Sequence, residues 1–383
     1  MPTSKGPFEG ILVVDLSHVL AGPFATMMLS DLGARVIKVE RPGSGDDSRA
    51  FGPFKDGKSL YFAFVNRGKE SIALNLKKPE DKTLFEAMVR HADVLVENFR
   101  PGTMDKLGYT WEALQAINPR LIYASASGYG QSGPKKVEPA YDTVIQAVSG
   151  VMSMTGAPDG PATKVATPMA DLTTGMYTFS AIASALYGRE KSGKGARVDI
   201  AMLDSMFSLL LEGVMHLAAT GENPPRLGNR HPSITPFDTF DAADKEFVIC
   251  AGDNALVTRL CTAIGRPELV ADPRFVDNNL RTQNAVAFRE ELEKTLKTQP
   301  AEHWLPIIDK AGVPCGSIND IASVAADPQV AARNMYIEVG GIKMPGNPLK
   351  ISGYDNPSHR PEAPALGANE AAVRAEFLAE AQN

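Results

Sequence analysis

Apolar, largely β-branched runs alternate along the first half of the chain with stretches whose apolar residues recur every three to four positions. Ile11–Ser17 reads as a strand, Pro23–Leu32 as a helix, Arg35–Glu40 as a second strand and Ser71–Leu76 as a third. Helix Glu80–Arg90, strand Asp93–Glu97, a helical stretch over Thr110–Ile117 and strand Arg120–Ser125 keep the same rhythm. This alternation predicts an α/β fold: a mostly parallel sheet with helices on both faces, binding its ligand beyond the carboxyl ends of the strands.

From Asp171 a helix of small and apolar residues is expected to run to about Tyr187. A turn over Lys191–Gly195, a strand Ala196–Met202 and a helix Leu203–Ala219 follow. The character changes near Gly221, where Pro224, Pro225, Gly228 and Pro232 interrupt the pattern and short strands over Phe237–Phe240 and Phe247–Cys250 precede helices. That section predicts a smaller α+β domain extending to about Ala325. Beyond it, Met335–Val339 and Leu349–Ser352 are strand-like and Ala368–Leu378 reads as a helix.

Length adds that 383 residues exceed one ordinary core, and 44% apolar with 22% charged residues is a globular composition. The net charge of −6, with Lys and Arg dispersed, gives no basic groove, so no nucleic-acid partner is expected. Cys250, Cys261 and Cys315 show no metal-type spacing and read as reduced thiols. The most apolar windows, Met176–Tyr187 and Met206–Ala219, are shorter than the roughly 20 residues that span a bilayer. Met1–Gly10 has no apolar leader core, so a cytoplasmic protein with no membrane partner is expected.

Candidate chemistry is sparse. The loop His18–Pro23 follows the first strand and opens a helix, yet it lacks the glycine fingerprint of a dinucleotide site, and Gly43-Ser-Gly45 reads better as a turn. No G-x-S-x-G elbow and no paired-histidine metal motif occurs. Arg41, Lys77, Arg100 and Lys106 recur beyond successive strand ends, a pattern that suits an anionic polyphosphate ligand. Asp171, at the head of a helix, reads first as an N-cap; the same position would also favour an ionised, nucleophilic carboxylate.

Together, His18-Val-Leu-Ala-Gly-Pro23, Gly33-Ala-Arg-Val-Ile-Lys-Val-Glu40, Glu97-Asn-Phe-Arg-Pro-Gly102, Gly128-Tyr-Gly130 and Ala170-Asp171 resemble the class III CoA-transferase family. The resemblance continues through Gly193-Lys-Gly-Ala-Arg-Val-Asp-Ile-Ala-Met202, Gly228-Asn-Arg-His-Pro232 and Ala311-Gly-Val-Pro314. Within the family, Lys5-Gly-Pro-Phe-Glu-Gly10, Pro345-Gly-Asn-Pro348 and Lys350-Ile-Ser352 are most similar to the bacterial branch acting on acetyl-CoA and oxalate.

That resemblance implies a Rossmann-like large domain over residues 1–200 and 330–383, a linker helix over 201–224 and a small α+β domain over 225–329. It implies a homodimer of interlocked rings. It also implies transfer of CoA from a short acyl-CoA, acetyl- or formyl-CoA, to oxalate or a similar acid, through anhydride and thioester intermediates on Asp171. The CoA thioester is then a co-substrate, with no metal and no permanently bound cofactor. By the same resemblance CoA is held by Leu20, Ala21, Arg41, Leu74, Asn75, Lys77, Asn98, Phe99, Arg100 and Lys106, and the acid by Tyr141 and Gly252. The alternatives are a racemase of α-methylacyl-CoA type and a non-catalytic acyl-CoA-binding protein. Tyr141 stands where the racemases keep a histidine, which favours transfer.

Overall fold

In this computed structural model, which describes residues 6–379, the first-half rhythm becomes one parallel six-stranded sheet. Lys5 and the residues before it, read above as part of a leaderless start and of the oxalate-branch motif, lie outside the described residues. The strands are β1 (Leu12–Asp15), β2 (Arg35–Glu40), β3 (Glu70–Ala73), β4 (Val94–Glu97), β5 (Ile122–Ser127) and β6 (Ala196–Ala201), in the order β3-β2-β1-β4-β5-β6. All five pairings are parallel. The order reverses between β1 and β4, and at such a switch point the loops after two adjacent strands part to form a crevice.

Both faces of the sheet are covered. Val14, Ile37, Ile72 and Leu95 pack with Leu84, Phe85 and Met88 on one side, whereas Val13, Val36, Val94 and Ile122 pack with Leu29, Ile182 and Leu186 on the other. Successive strand residues alternate between the two cores, and each fully buried side chain of this size contributes about 2 kcal/mol. The covering helices are α1 (Ala21–Asp31) and α2 (Pro79–His91), the latter started by Pro79 and acidic Glu80 and Asp81. Next come the short α3 (Asp142–Val148) and the long α4 (Met169–Ser192).

Helix α4 outruns its expected end at Tyr187. Its polar last turn is anchored by buried Arg189, whose Nη2 lies 2.8 Å from Asp93, and it stops at Gly193 with φ +70°. The expected helix Leu203–Ala219 is two pieces, Met202–Phe207 and Leu211–Thr220. Between them the amides of Leu209 and Leu210 reach back only three residues, to Met206 and Phe207.

Leu349–Ser352 is not a strand. The partner of Tyr336–Val339 is Ile342–Pro345, joined to it by Gly340 and Gly341, both at positive φ, and a two-glycine hairpin turn was the signal to read. The Glu370–Ala379 helix returns Val373 and Phe377 to the core beside β3.

The chain divides into two compact units. The first comprises the chain up to Met152, Lys164–Glu222 and everything from Pro328 onward; the second is Ser153–Thr163 with Asn223–Asp327. Of the linker expected over 201–224, residues 201–222 therefore fall in the first unit and 223–224 in the second, and Ser153–Thr163 belongs to the second as well. The second unit is an antiparallel sheet of Phe237–Asp241, Glu246–Cys250 and Cys315–Ser317, backed by helices whose Phe288, Leu292 and Ile308 bury against Phe240 and Phe247. Among the described residues no helix is long and apolar enough to cross a membrane.

Candidate active site

The crevice at the switch point is built by the loops after β1 and β4. Asn98 clamps the first loop on both sides of one residue: its Oδ1 accepts from the His18 amide at 2.9 Å and its Nδ2 donates to the His18 carbonyl at 2.8 Å. Val19 follows at φ +66°, and α1 begins two residues later. The first N–H groups of a helix have no intrahelical acceptor. Among the described residues, the amides of Ala21 and Gly22 find none elsewhere.

Helix α4 is seated against this start. At Gly175, one turn beyond Asp171, a Cβ would stand 2.8 Å from both the Ala21 carbonyl oxygen and the Phe24 ring. Only glycine allows that approach, and it brings the first turn of α4 alongside the first loop.

Asp171 is not the N-cap. Pro168 holds the capping position and the capping acceptor comes from α3: Asp142 Oδ1 accepts from the Ala170 amide at 2.8 Å and from the Asp171 amide at 3.4 Å. Gln146, one turn along α3, orients that carboxylate through a 2.7 Å bond to Oδ2. The amides of Met169 and Leu172 bond to Thr167 and Pro168. All four first amides of α4 are thus occupied, so an oxyanion hole at this helix start is not available.

Asp171 itself is half-buried, and no donor reaches its carboxylate among the described residues. Burial first, and the like charge of Asp142 second, push its pKa up to about 7. The expectation that the helix start keeps it low is overturned, because Asp142 already occupies the positive end of the helix. Tyr61, on the Leu60–Asn66 helix, is an electrostatic neighbour: burial, then Asp171, Asp142 and Asp46, push its hydroxyl up to about 12. It is a donor at neutral pH.

Beyond the strand ends lies a cavity of about 540 Å³. Arg41, Leu74, Asn75, Lys77 and Phe99 line it, as does His18. The His18 ring tilts over Phe99 at 5.8 Å, and burial holds it below its ordinary pKa, so it is neutral near pH 7. Arg41 is engaged by Asp47, also on the wall, and that pair is solvent-exposed.

Other expected residues fall differently. Leu20 and Ala21 are buried side chains, leaving their backbone as the part a ligand can meet. Arg100 and Lys106 are exposed and do not line the cavity. Tyr141 precedes Asp142, but its ring is 76% exposed and is not among the neighbours that shift Asp171. Gly252 is exposed in the loop after Glu246–Cys250 of the second unit, ahead of Asp253, which caps the Asn254–Ala263 helix.

Sequence reasoning missed His18, Asp142 and Tyr61 as site residues. His18 stood inside a quoted motif at a strand end. Asp142 and Tyr61 carry no local signal, because their roles arise from contacts between distant segments. Among the described residues no group of three or more His, Cys, Asp and Glu could hold a metal ion.

The family model described as CoA-transferase family III matches residues 8–370. This chain belongs to CoA-transferase family III. It is 58% identical to the acetyl-CoA:oxalate CoA-transferase of Acetobacter aceti over 98% of this chain and 97% of that protein. It is 40% identical to the succinate–glutarate CoA-transferase of Agrobacterium fabrum, again covering 98% and 97%. Among solved structures, a CaiB/BaiF family protein from Brucella suis superposes with a TM-score of 0.87 at 40% identity, covering 97% of this chain and all of that one. The class III CoA-transferase therefore carries the parallel sheet and the Asp171 helix start in a family that exchanges CoA between acids.

Proposed function

We propose that this transferase moves CoA from a short acyl-CoA, acetyl-CoA foremost, to oxalate or a similar small acid, with Asp171 as the covalent nucleophile. One observation carries the role of Asp171: a carboxylate without a hydrogen-bond donor, half-buried beside a strand-end loop and poised to ionise near neutral pH. The substrates rest on the Acetobacter relative, which is named for acetyl-CoA and oxalate.

In this reading the Asp171 carboxylate adds to the donor thioester carbonyl and CoA leaves as thiolate, giving an aspartyl–acyl anhydride. The thiolate returns to Cγ of Asp171, releasing the acyl group as a carboxylate and leaving an aspartyl–CoA thioester. The incoming acid attacks that carbon and expels the thiolate, and the thiolate then takes the acid's carbonyl, which frees Asp171. Each step exchanges one carboxyl derivative for another, so no proton or electron is left over.

Donors for the developing oxyanions come from the Ala21 and Gly22 amides at the start of α1, typically worth about 3 kcal/mol each. The cavity with Arg41, Lys77 and Phe99 supports the reading of a CoA site there. Tyr61 is the protonated hydroxyl available to an acid held against Asp171.

A homodimer belongs to the same proposal. Phe207, Leu211 and Met215, close together in sequence beyond β6, are exposed apolar side chains of the kind that marks a protein interface, and Tyr187 on α4 is exposed as well.

Acetyl-CoA and oxalate incubated with the protein test the reading: oxalyl-CoA and acetate are expected, and quenched protein is expected to carry a hydroxylamine-sensitive CoA adduct on the peptide containing Asp171. Turnover without any adduct in wild type would reject covalent catalysis, and a different productive acid would reject oxalate.

A further inference from the structure

Beneath the first loop, against the wall of the cavity, lies a cluster of buried charges. Lys38 Nζ is 2.8 Å from Asp46 Oδ2, with both side chains buried, and it also donates to the Ser17 carbonyl at 2.7 Å. Asp15 pairs with Lys69 at 3.0 Å and accepts from the Ser17 amide at 2.9 Å. Well-packed apolar residues in place of a buried ion pair are often neutral or stabilising, so stability alone does not account for the cluster.

The backbone above it does. Val19 sits in the left-handed region at φ +66°, which costs a β-branched residue about 1–3 kcal/mol and persists only where the surroundings enforce it. Its amide donates to the Asp46 carboxylate at 3.1 and 3.3 Å. That carboxylate is itself fixed by the Ser48 amide at 2.9 Å and the Ser48 hydroxyl at 2.7 Å. One buried side chain thus ties the inverted residue of the loop to the end of β2.

The direction of the chain at Val19 sets where α1 starts. Leu20, Ala21 and Gly22 follow immediately, and the Ala21 carbonyl is the group against which Gly175 packs. If Val19 relaxes to negative φ, the two free amides of α1 move relative to Asp171.

We propose that Asp46, buried against Lys38, is a positioning residue of the transferase: it holds Val19 in the left-handed conformation and so fixes the start of α1 beside Asp171. The assignment rests on the role of Asp171 proposed above, and Asp46 acts through the backbone.

Asp46→Asn, Val19→Gly and the double variant test it, since glycine adopts φ +66° without steric cost and needs no clamp. Asp46→Asn is expected to lower kcat about tenfold or more while the KM for acyl-CoA moves less than about threefold. Hydrogen exchange over residues 16–24 should rise in the same variant. Adding Val19→Gly is expected to recover most of the lost kcat.

Unchanged exchange in Asp46→Asn, or a double variant no more active than Asp46→Asn, would overturn the assignment. Should Asp46→Asn not fold, Asp46→Glu, which keeps the charge but displaces the acceptor oxygens, gives the same comparison. The exchange result decides the clamp even if wild type moves no CoA, an outcome that would count against the proposed reaction alone.

Discussion

Asp171 is ordinary in sequence and unusual in place. Its pKa, raised from 3.8 to about 7 by burial and then by Asp142, means that the folded protein holds a proton that the unfolded chain releases near pH 4. Stability supplied by that proton is therefore present at low pH and lost as pH rises through about 7. Asp171→Asn should match wild type in unfolding free energy near pH 4 and exceed it at pH 8, by on the order of 2 kcal/mol after allowance for partial solvent access. The rate runs the other way: kcat of the wild type should climb as pH rises through about 7 and then level, because only the ionised carboxylate attacks. Asp142→Asn removes the neighbouring charge, so it should move that midpoint to lower pH and cost about 1 kcal/mol at the α4 cap. A pH–rate midpoint unmoved in Asp142→Asn would deny the coupling.

Elements were legible where one period dominated. Arg35–Glu40 is a strand to the residue, because both of its faces bury β-branched side chains. The start of α1 was blurred by Pro23, which sits inside the first turn, where a missing amide costs nothing. Turn chemistry went unread at Gly340–Gly341, and the break at Ser208–Leu210 carries neither glycine nor proline to announce it. What no periodicity reports is the closeness of two helices. The contact of Gly175 with Ala21 and Phe24 predicts that Gly175→Ala will push α4 from α1, with a loss of about 1–3 kcal/mol in urea unfolding and a fall in kcat larger than any change in KM. A variant as stable and active as wild type would show that the two helix starts need not meet.

At the scale of the molecule, the resemblance named the family and Asp171, and the family assignment stands on residues 8–370. The cavity beyond the strand ends was foreseeable in kind from the alternation of strands and helices, and Arg41, Lys77 and Phe99 do line it. Asp142 and Tyr61 were not foreseeable, since polar groups separated by tens of residues meet only through the fold. The exposed apolar side chains Phe207, Leu211 and Met215 predict that sedimentation will find a dimer and that Leu211→Glu will shift it toward monomer. A wild-type monomer at micromolar concentration would remove the dimer from the proposal.

The nucleophile is the claim on which the chemistry depends, and intact-protein mass spectrometry of the quenched reaction reads it directly. Wild type mixed with acetyl-CoA should gain the mass of a CoA thioester, localised to Asp171 and removed by hydroxylamine, whereas Asp171→Ala should carry no adduct and lose roughly a thousandfold or more in kcat. An adduct that persists in Asp171→Ala, or transfer at the wild-type rate without that carboxylate, would contradict the account.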